Sequence, residues 1–279
     1  MPDRLLYMAH TSPAVRRQAL YSALSALAHA GDGPLALHVY TDAPEAFSRL
    51  GGRAVVTQLP RETFEGWALP AGYNHRAKPA AIRDLAHRHP ADRILFADAD
   101  TVFAGPASAL FDRIEPGAAV MHQREYNVGT SDLAVMHRFR RHLRRATFRG
   151  APVALDLDMW NSGAVGLHPA LFPLVDDWLA YLDEVFPQVK RWVLEQYALV
   201  SVLEARGIAI REAADVLIHY WFDKEAYSAA AGAALDRTAP WPLDEALAYV
   251  RENPISRPRR PHAAAYGKPA NFFQRRFGW

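Results

Sequence analysis

Two aspartates one residue apart, Asp98 and Asp100, close the short apolar run Ile94-Leu95-Phe96-Ala97. A continuous apolar run bounded by polar residues reads as a buried strand. Two carboxylates at its end cannot be buried uncompensated, because an unpaired buried charge is costly or is forced to protonate. A divalent cation held by oxygen ligands at the carboxyl end of a sheet resolves this, which is the chemistry of enzymes that handle phosphates through a metal. The plainer alternative is a solvated turn whose acids cap a helix beginning near Pro106. His219 closes a second apolar run, Val216-Leu217-Ile218. It is either a satisfied core residue or a third ligand. A mixed oxygen and nitrogen set favours manganese over magnesium, which prefers oxygens alone. Lys224, five residues on, either sets a cation on a phosphate or is a solvated lysine at a helix start.

Further polar groups interrupt apolar sequence elsewhere. Asp158-Met159-Trp160 leads into Asn161-Ser162-Gly163. This is either an ordinary turn or an amide placed to bond a ligand hydroxyl, with glycine admitting close backbone approach. Glu195-Gln196 sits among Val193, Tyr197, Leu199 and Val200, as the exposed face of a helix or as part of a site. Lys78 carries the same ambiguity.

The elements that must position these residues alternate. Strand patterns cover residues 5–9, 35–40, 54–59 and 93–97. Between them, Ser12-Pro13 opens a helix with Val15, Leu20, Leu24, Leu27 and Ala28 on its apolar face, stopped by Gly31-Asp32-Gly33, and residues 77–89 form another. This βαβ order predicts a parallel sheet with right-handed crossovers. A basic helix over 131–148 carries Arg138, Arg140, Arg141, Arg144 and Arg145, as a solvated face or a site for an anionic acceptor. A strand over 159–167, helices over 169–185 and 191–206, and short strands over 208–211 and 216–220 follow. The reading is an α/β chain with one domain over residues 1–254 and a basic, aromatic tail over 255–279.

Composition sets bounds. Half of the 279 residues are hydrophobic, enough for a substantial core, and the net charge of +2 gives no case for nucleic-acid binding. The absence of cysteine rules out disulfides and thiolate metal sites and suits a reducing cytosol. No signal peptide or membrane-spanning run is expected. In the tail, Arg257, Arg259, Arg260, Arg275 and Arg276 mix with Tyr266, Phe272, Phe273, Phe277 and Trp279. That mixture suits peripheral contact with an anionic membrane, or aromatics packed back on the domain.

The order of a threonine after the first strand (Thr11), Lys78, Asp98-Ala99-Asp100, Asp158-x-Trp160-Asn161-Ser162-Gly163, Glu195-Gln196, and His219 followed by Lys224 resembles the retaining nucleotide-sugar glycosyltransferases of the glycogenin and lipopolysaccharide galactosyltransferase type. The resemblance implies a GT-A, Rossmann-like domain with a mostly parallel sheet. It implies manganese, with magnesium as the alternative, on Asp98, Asp100 and His219. The donor, a uridine diphosphate sugar in first place, would lie along Thr11, Asp42, Lys78, Ala99, Ser162 and Lys224. Asn161 and Gln196 would meet its sugar. Adjacent helical residues point about 100° apart, so Gln196 is expected to face in and Glu195 to lie at the rim. Two features depart from the family, which commonly has Asp before the glutamine, and Gly with Lys-Pro-Trp after the histidine. If the enzyme inverts, Glu195 or Asp158 is the candidate base. The acceptor hydroxyl, on a glycan, lipid or protein, is not identified.

Two rival readings use the same residues. Asp98 as nucleophile with magnesium fits a haloacid-dehalogenase-type phosphatase, with Asp176-Asp177 as its later acidic motif. A sugar-nucleotide fold retained as a non-catalytic binding module is the other.

Overall fold

The apolar run ending at Asp98 lies in the middle of a seven-stranded sheet. This computed structural model describes residues 3–30, 35–70 and 72–255. The chain runs β1 (Asp3–Ala9), α1 (Pro13–Ala28), β2 (Leu35–Thr41), β3 (Ala54–Gln58), α2 (Arg61–Ala68), α3 (Ala77–Arg88), β4 (Arg93–Ala97), β5 (Thr101–Phe103), α4 (Ser108–Phe111) and β6 (Ala118–Asn127). It continues through α5 (Ala134–Leu143), β7 (Thr147–Phe148), β8 (Ala151–Pro152), β9 (Asp158–Leu167), α6 (Pro173–Val189), α7 (Leu194–Glu204), β10 (Ala209–Glu212), β11 (Leu217–His219), α8 (Lys224–Thr238) and α9 (Leu243–Glu252).

The sheet order is β10-β6-β9-β4-β1-β2-β3. All pairings are parallel except those of β9, which runs antiparallel to both β4 and β6. Side chains alternate across the pleat, so Leu6, Ile94 and Phe96 pack on one face while Leu5, Tyr7 and Leu95 pack on the other. The first face is covered by residues such as Ile82 of α3, Phe139 of α5, Trp178 of α6 and Tyr197 of α7. The second is covered by Leu24 of α1, Phe111 of α4, Leu235 of α8 and Leu247 of α9. Burial on both faces explains why the central strands read as unbroken apolar runs.

Several local expectations change. The basic helix over 131–148 is only α5. Arg149 and Gly150 adopt left-handed φ of 51° and 76° and turn the chain into the β7/β8 hairpin. Ser12 occupies the N-cap position of α1, but its hydroxyl makes no capping bond. β6 is a strand beyond those expected from the sequence pattern. The Gly31-Asp32-Gly33 stop and the tail from 256 onward lie outside the described residues. No helix among the described residues is long and apolar enough to cross a membrane.

Candidate functional site

The site forms where β4, β9 and a small antiparallel pair meet. The backbone N–H of Asp98 donates to the Gly163 carbonyl at 2.9 Å, joining the end of β4 to the Asn161-Ser162-Gly163 segment of β9. The chain then enters β5, which pairs with β11 so that Thr101 lies opposite His219. These two pairings bring residues from positions 98, 100 and 219 together, with one ligand atom from each within 4.8 Å of the others. His219 Nε2 lies 3.3 Å from Asp100 Oδ1 and 3.8 Å from Asp98 Oδ2. Asp100 does not cap a helix: α4 starts beyond it and has Ala107 at its N-cap. Burial raises the Asp100 carboxyl, but His219 beside it and Lys224, whose Nζ is 2.9 Å away, outweigh that and hold the group well below the usual carboxylate range.

Hydrogen bonding fixes how His219 is presented. Asn161 Oδ1 accepts the Gly163 N–H at 2.9 Å, and Asn161 Nδ2 donates to Glu125 Oε1 at 3.1 Å. A backbone N–H can only donate and a carboxylate can only accept, so both partners dictate the same amide orientation. The 2.7 Å contact between Asn161 Oδ1 and His219 Nδ1 therefore has the hydrogen on Nδ1. His219 Nε2 either carries a second proton facing Asp100 or offers its lone pair to a cation, the arrangement of a metal-ligating histidine with an outer hydrogen-bond partner. Gly163 is needed for packing: a Cβ there would lie 2.1 Å from His219 Nδ1. The close approach expected at this glycine is thus made by an imidazole of the chain itself.

Glu125 was missed from sequence because β6 was missed. It occupies a register shift between Arg124 and Tyr126 in the β6/β9 pairing, and a bulge there turns its side chain to the site. Its Oε2 accepts from Gln196 Nε2 at 3.1 Å, so one carboxylate holds both Asn161 and Gln196.

A second buried network lies beside the first. Lys78 Nζ is 3.1 Å from Asp98 Oδ1, donates to the Ser162 carbonyl at 2.8 Å and to Ser162 Oγ at 3.1 Å, and lies 3.6 Å from Glu195 Oε2. Burial disfavours the ammonium, but Asp98 and Glu195 outweigh it and raise Lys78. Glu195 accepts from Ser162 Oγ at 2.7 Å, while its Oε1 is buried without a hydrogen-bond partner. Burial pushes the Glu195 carboxyl up against the opposing pull of Lys78 and Ser162. The expectation that Glu195 lies at the rim is wrong. It is 3 % exposed and Gln196 is 6 % exposed, because the first turns of α7 are buried on every side rather than on one face.

These groups line a cavity of about 370 Å³ that also includes Ala99, Lys224, Trp192 and Trp221. Its lining holds four carboxylates, on Asp98, Asp100, Glu125 and Glu195, against two ammonium groups, on Lys78 and Lys224. The surplus of negative charge matches one dication, and the Asp, Asp, His donor set fits Mn2+ or Mg2+. Thr11 and Asp42 do not line this cavity. At the ends of β1 and β2, the Thr11 N–H, at φ 72°, donates to Asp42 Oδ2 at 3.0 Å, and Asp42 pairs with Arg16. His10 beside them is buried, stacked on Phe64 at 4.3 Å, with both ring nitrogens unpartnered. Asp158 lies outside the cavity in a bidentate pair with Arg124, which removes it as a base. Asp176 and Asp177 pair with Arg83, Arg149 and Arg206 on the surface of α6, so no acidic motif of a phosphatase faces Asp98.

No protein-family model matches the sequence, and no curated protein sequence matches it. Solved structures do. The galactosyltransferase LgtC, determined in complex with donor and acceptor sugar analogues, matches over 92 % of this chain and 98 % of its own, with a TM-score of 0.52 at 12 % identity. This is the GT-A fold. Mouse xyloside xylosyltransferase 1, in its apo form, matches over 76 % of this chain and 85 % of its own, with a TM-score of 0.50 at 16 % identity. At such identities the likeness speaks for the fold alone.

Proposed function

We propose that this protein is a metal-dependent glycosyltransferase that moves a sugar from a nucleoside diphosphate donor, a uridine diphosphate sugar in first place, to an acceptor hydroxyl with retention of configuration. The observation that carries the reading is the convergence of Asp98, Asp100 and His219 at the end of the central strand of a GT-A fold. When bound, Mn2+ or Mg2+ would neutralise charge on the diphosphate leaving group. Asp98, Asp100 and His219 would hold it. Lys224, half-exposed at the start of α8, would turn from Asp100 to a phosphate oxygen. The unpartnered nitrogens of His10, with Thr11 and Asp42, offer bonds for the nucleoside end.

Gln196 and the free Oε1 of Glu195 are offered to the donor sugar. Asn161 is already committed to His219, Gly163 and Glu125, so its role is to position the histidine and the sugar-facing wall. Lys78 stands between Asp98 and Glu195, 3.1 and 3.6 Å from their carboxylates, and ties both to Ser162. An acceptor attacking from the face that the diphosphate leaves can pass its proton to the departing oxygen, so no separate base is required. The absence of cysteine fits work in the cytosol, and the composition of the tail fits contact with an anionic membrane.

The test is a screen of sugar nucleotides for manganese-dependent donor hydrolysis, repeated after chelation and in Asp100→Ala. Turnover that needs the metal and is lost in a folded variant supports the reading. Retained activity with unchanged metal dependence overturns it.

A further inference from the structure

Many arginines of this protein are neutralised: Arg4, Arg16, Arg76, Arg93 and Arg113 each pair with an aspartate. One region concentrates arginines that are not. Residues 133–155 contain six arginines and no Asp or Glu. Among the described residues, Arg141, Arg144, Arg145 and Arg191 enter none of the ion pairs. Three of them gather around His142. Partial burial and the charges of Arg191, Arg141 and Arg145 all push its imidazole below the ordinary value. Arg191 Nη2 is 3.2 Å from His142 Nε2, and because a guanidinium only donates, His142 accepts there and keeps its Nδ1–H to give. Arg191 Nε is buried with no hydrogen-bond partner.

The chain links this cluster to the cavity. Trp192, the next residue, lines the cavity and is 56 % exposed, one of three large exposed hydrophobics among the described residues. Its carbonyl accepts from the Tyr73 hydroxyl, which in turn accepts the Glu195 N–H at 3.1 Å. The Arg191-Trp192 segment is thereby fixed to the first turn of α7, which carries Glu195 and Gln196. An exposed indole on the cavity wall, preceded in the chain by Arg191, which His142 joins to Arg141 and Arg145, matches a ligand with a sugar face and an anion. Arginine forks suit phosphate oxygens, two at a time.

We propose that the acceptor is a phosphorylated sugar, whose phosphate is bound by Arg141, Arg145, Arg191 and His142 while its ring lies against Trp192. This rests on the glycosyltransferase reading, but it is tested separately. The protein is first saturated with uridine diphosphate and Mn2+, which occupy the donor site, and that binding is recorded by calorimetry. Glucose 6-phosphate and glucose are then titrated, with the arginine Nε–Hε NMR resonances as the readout. We expect glucose 6-phosphate, and not glucose, to shift the Arg191 resonance. Arg141→Ser/Arg145→Ser, at two exposed positions, should weaken that binding about tenfold or more, the scale of one to two lost charge-assisted bonds. A parallel sedimentation with phosphatidylglycerol vesicles separates a sugar phosphate from a lipid headgroup. Equal shifts by both sugars, or undiminished binding in the double variant, overturns the proposal. So does vesicle binding that needs the arginines while glucose 6-phosphate leaves them unmoved. If uridine diphosphate fails to bind but the phosphate site persists, the glycosyltransferase reading falls and the anion site stands.

Discussion

Substituting Gly163→Ala should unseat His219. The backbone of Gly163 lies outside the left-handed region, so alanine meets no conformational penalty there. The penalty is steric: the added Cβ would stand 2.1 Å from His219 Nδ1, 2.4 Å from Cγ and 2.7 Å from Cε1. Ordinary contact is about 3.5 Å, so the ring must retreat by about 1.4 Å. It cannot do so and keep its 2.7 Å bond to Asn161, and it already packs edge-on against His122 at 5.6 Å. Losing the buried bond costs about 1–3 kcal/mol and overpacking costs about 1–3 kcal/mol, giving a loss of about 2–6 kcal/mol. Urea denaturation measures this, and calorimetry with Mn2+ in the presence of uridine diphosphate should show weakened binding by the same variant. The cost should fall below about 1 kcal/mol when Gly163→Ala is made in a His219→Ala background, where no ring remains to be struck. Wild-type stability and Mn2+ affinity in the single variant, or an undiminished cost in the double, would refute the reasoning.

Other outcomes follow from the same contacts. Glu125→Ala frees the amides of Asn161 and Gln196, so turnover of a donor should fall about 10–100-fold while uridine diphosphate affinity changes little; a matching loss of affinity would place Glu125 at the nucleotide. Proton NMR of the first product from an α-linked donor should show an α linkage, and a β linkage would make Glu195 the base to test. Burial and the Arg4 charge pull His38 down to about 4, and Arg4 donates to its Nε2 at 2.8 Å. Above the ordinary value of 6.5, folded and unfolded chains both hold it neutral. As pH falls toward 4 the unfolded chain takes a proton that the folded one refuses, so stability should drop by about 2–3 kcal/mol. His38→Gln, which still accepts from Arg4, should flatten that slope in denaturation curves measured across pH, and an unchanged slope would contradict it.

The sequence by itself determined the elements whose signal is local. The runs at β1, β2 and β4 are mostly apolar because those strands are covered on both faces, and their alternation with helices specified a mostly parallel α/β sheet. Asp98 and Asp100 stood out because acids closing so apolar a strand need partners. Tertiary structure decided what depends on register. Asn161 faces His219 rather than a ligand because β9 and β11 flank the same strand end, and Gly163 admits the imidazole. Glu195 is buried because α7 is enclosed on all sides, whereas helical spacing alone assigned it to the rim. Glu125 owes its direction to a bulge in the β6/β9 pairing, and a bulge leaves no periodic mark in a single strand. The unpaired arginines were legible as a charge run. That they converge on His142 follows only from the packing of α5 near the chain entering α7, where Arg191 reaches the imidazole, because charge is written in sequence while the distance between charges is set by the fold.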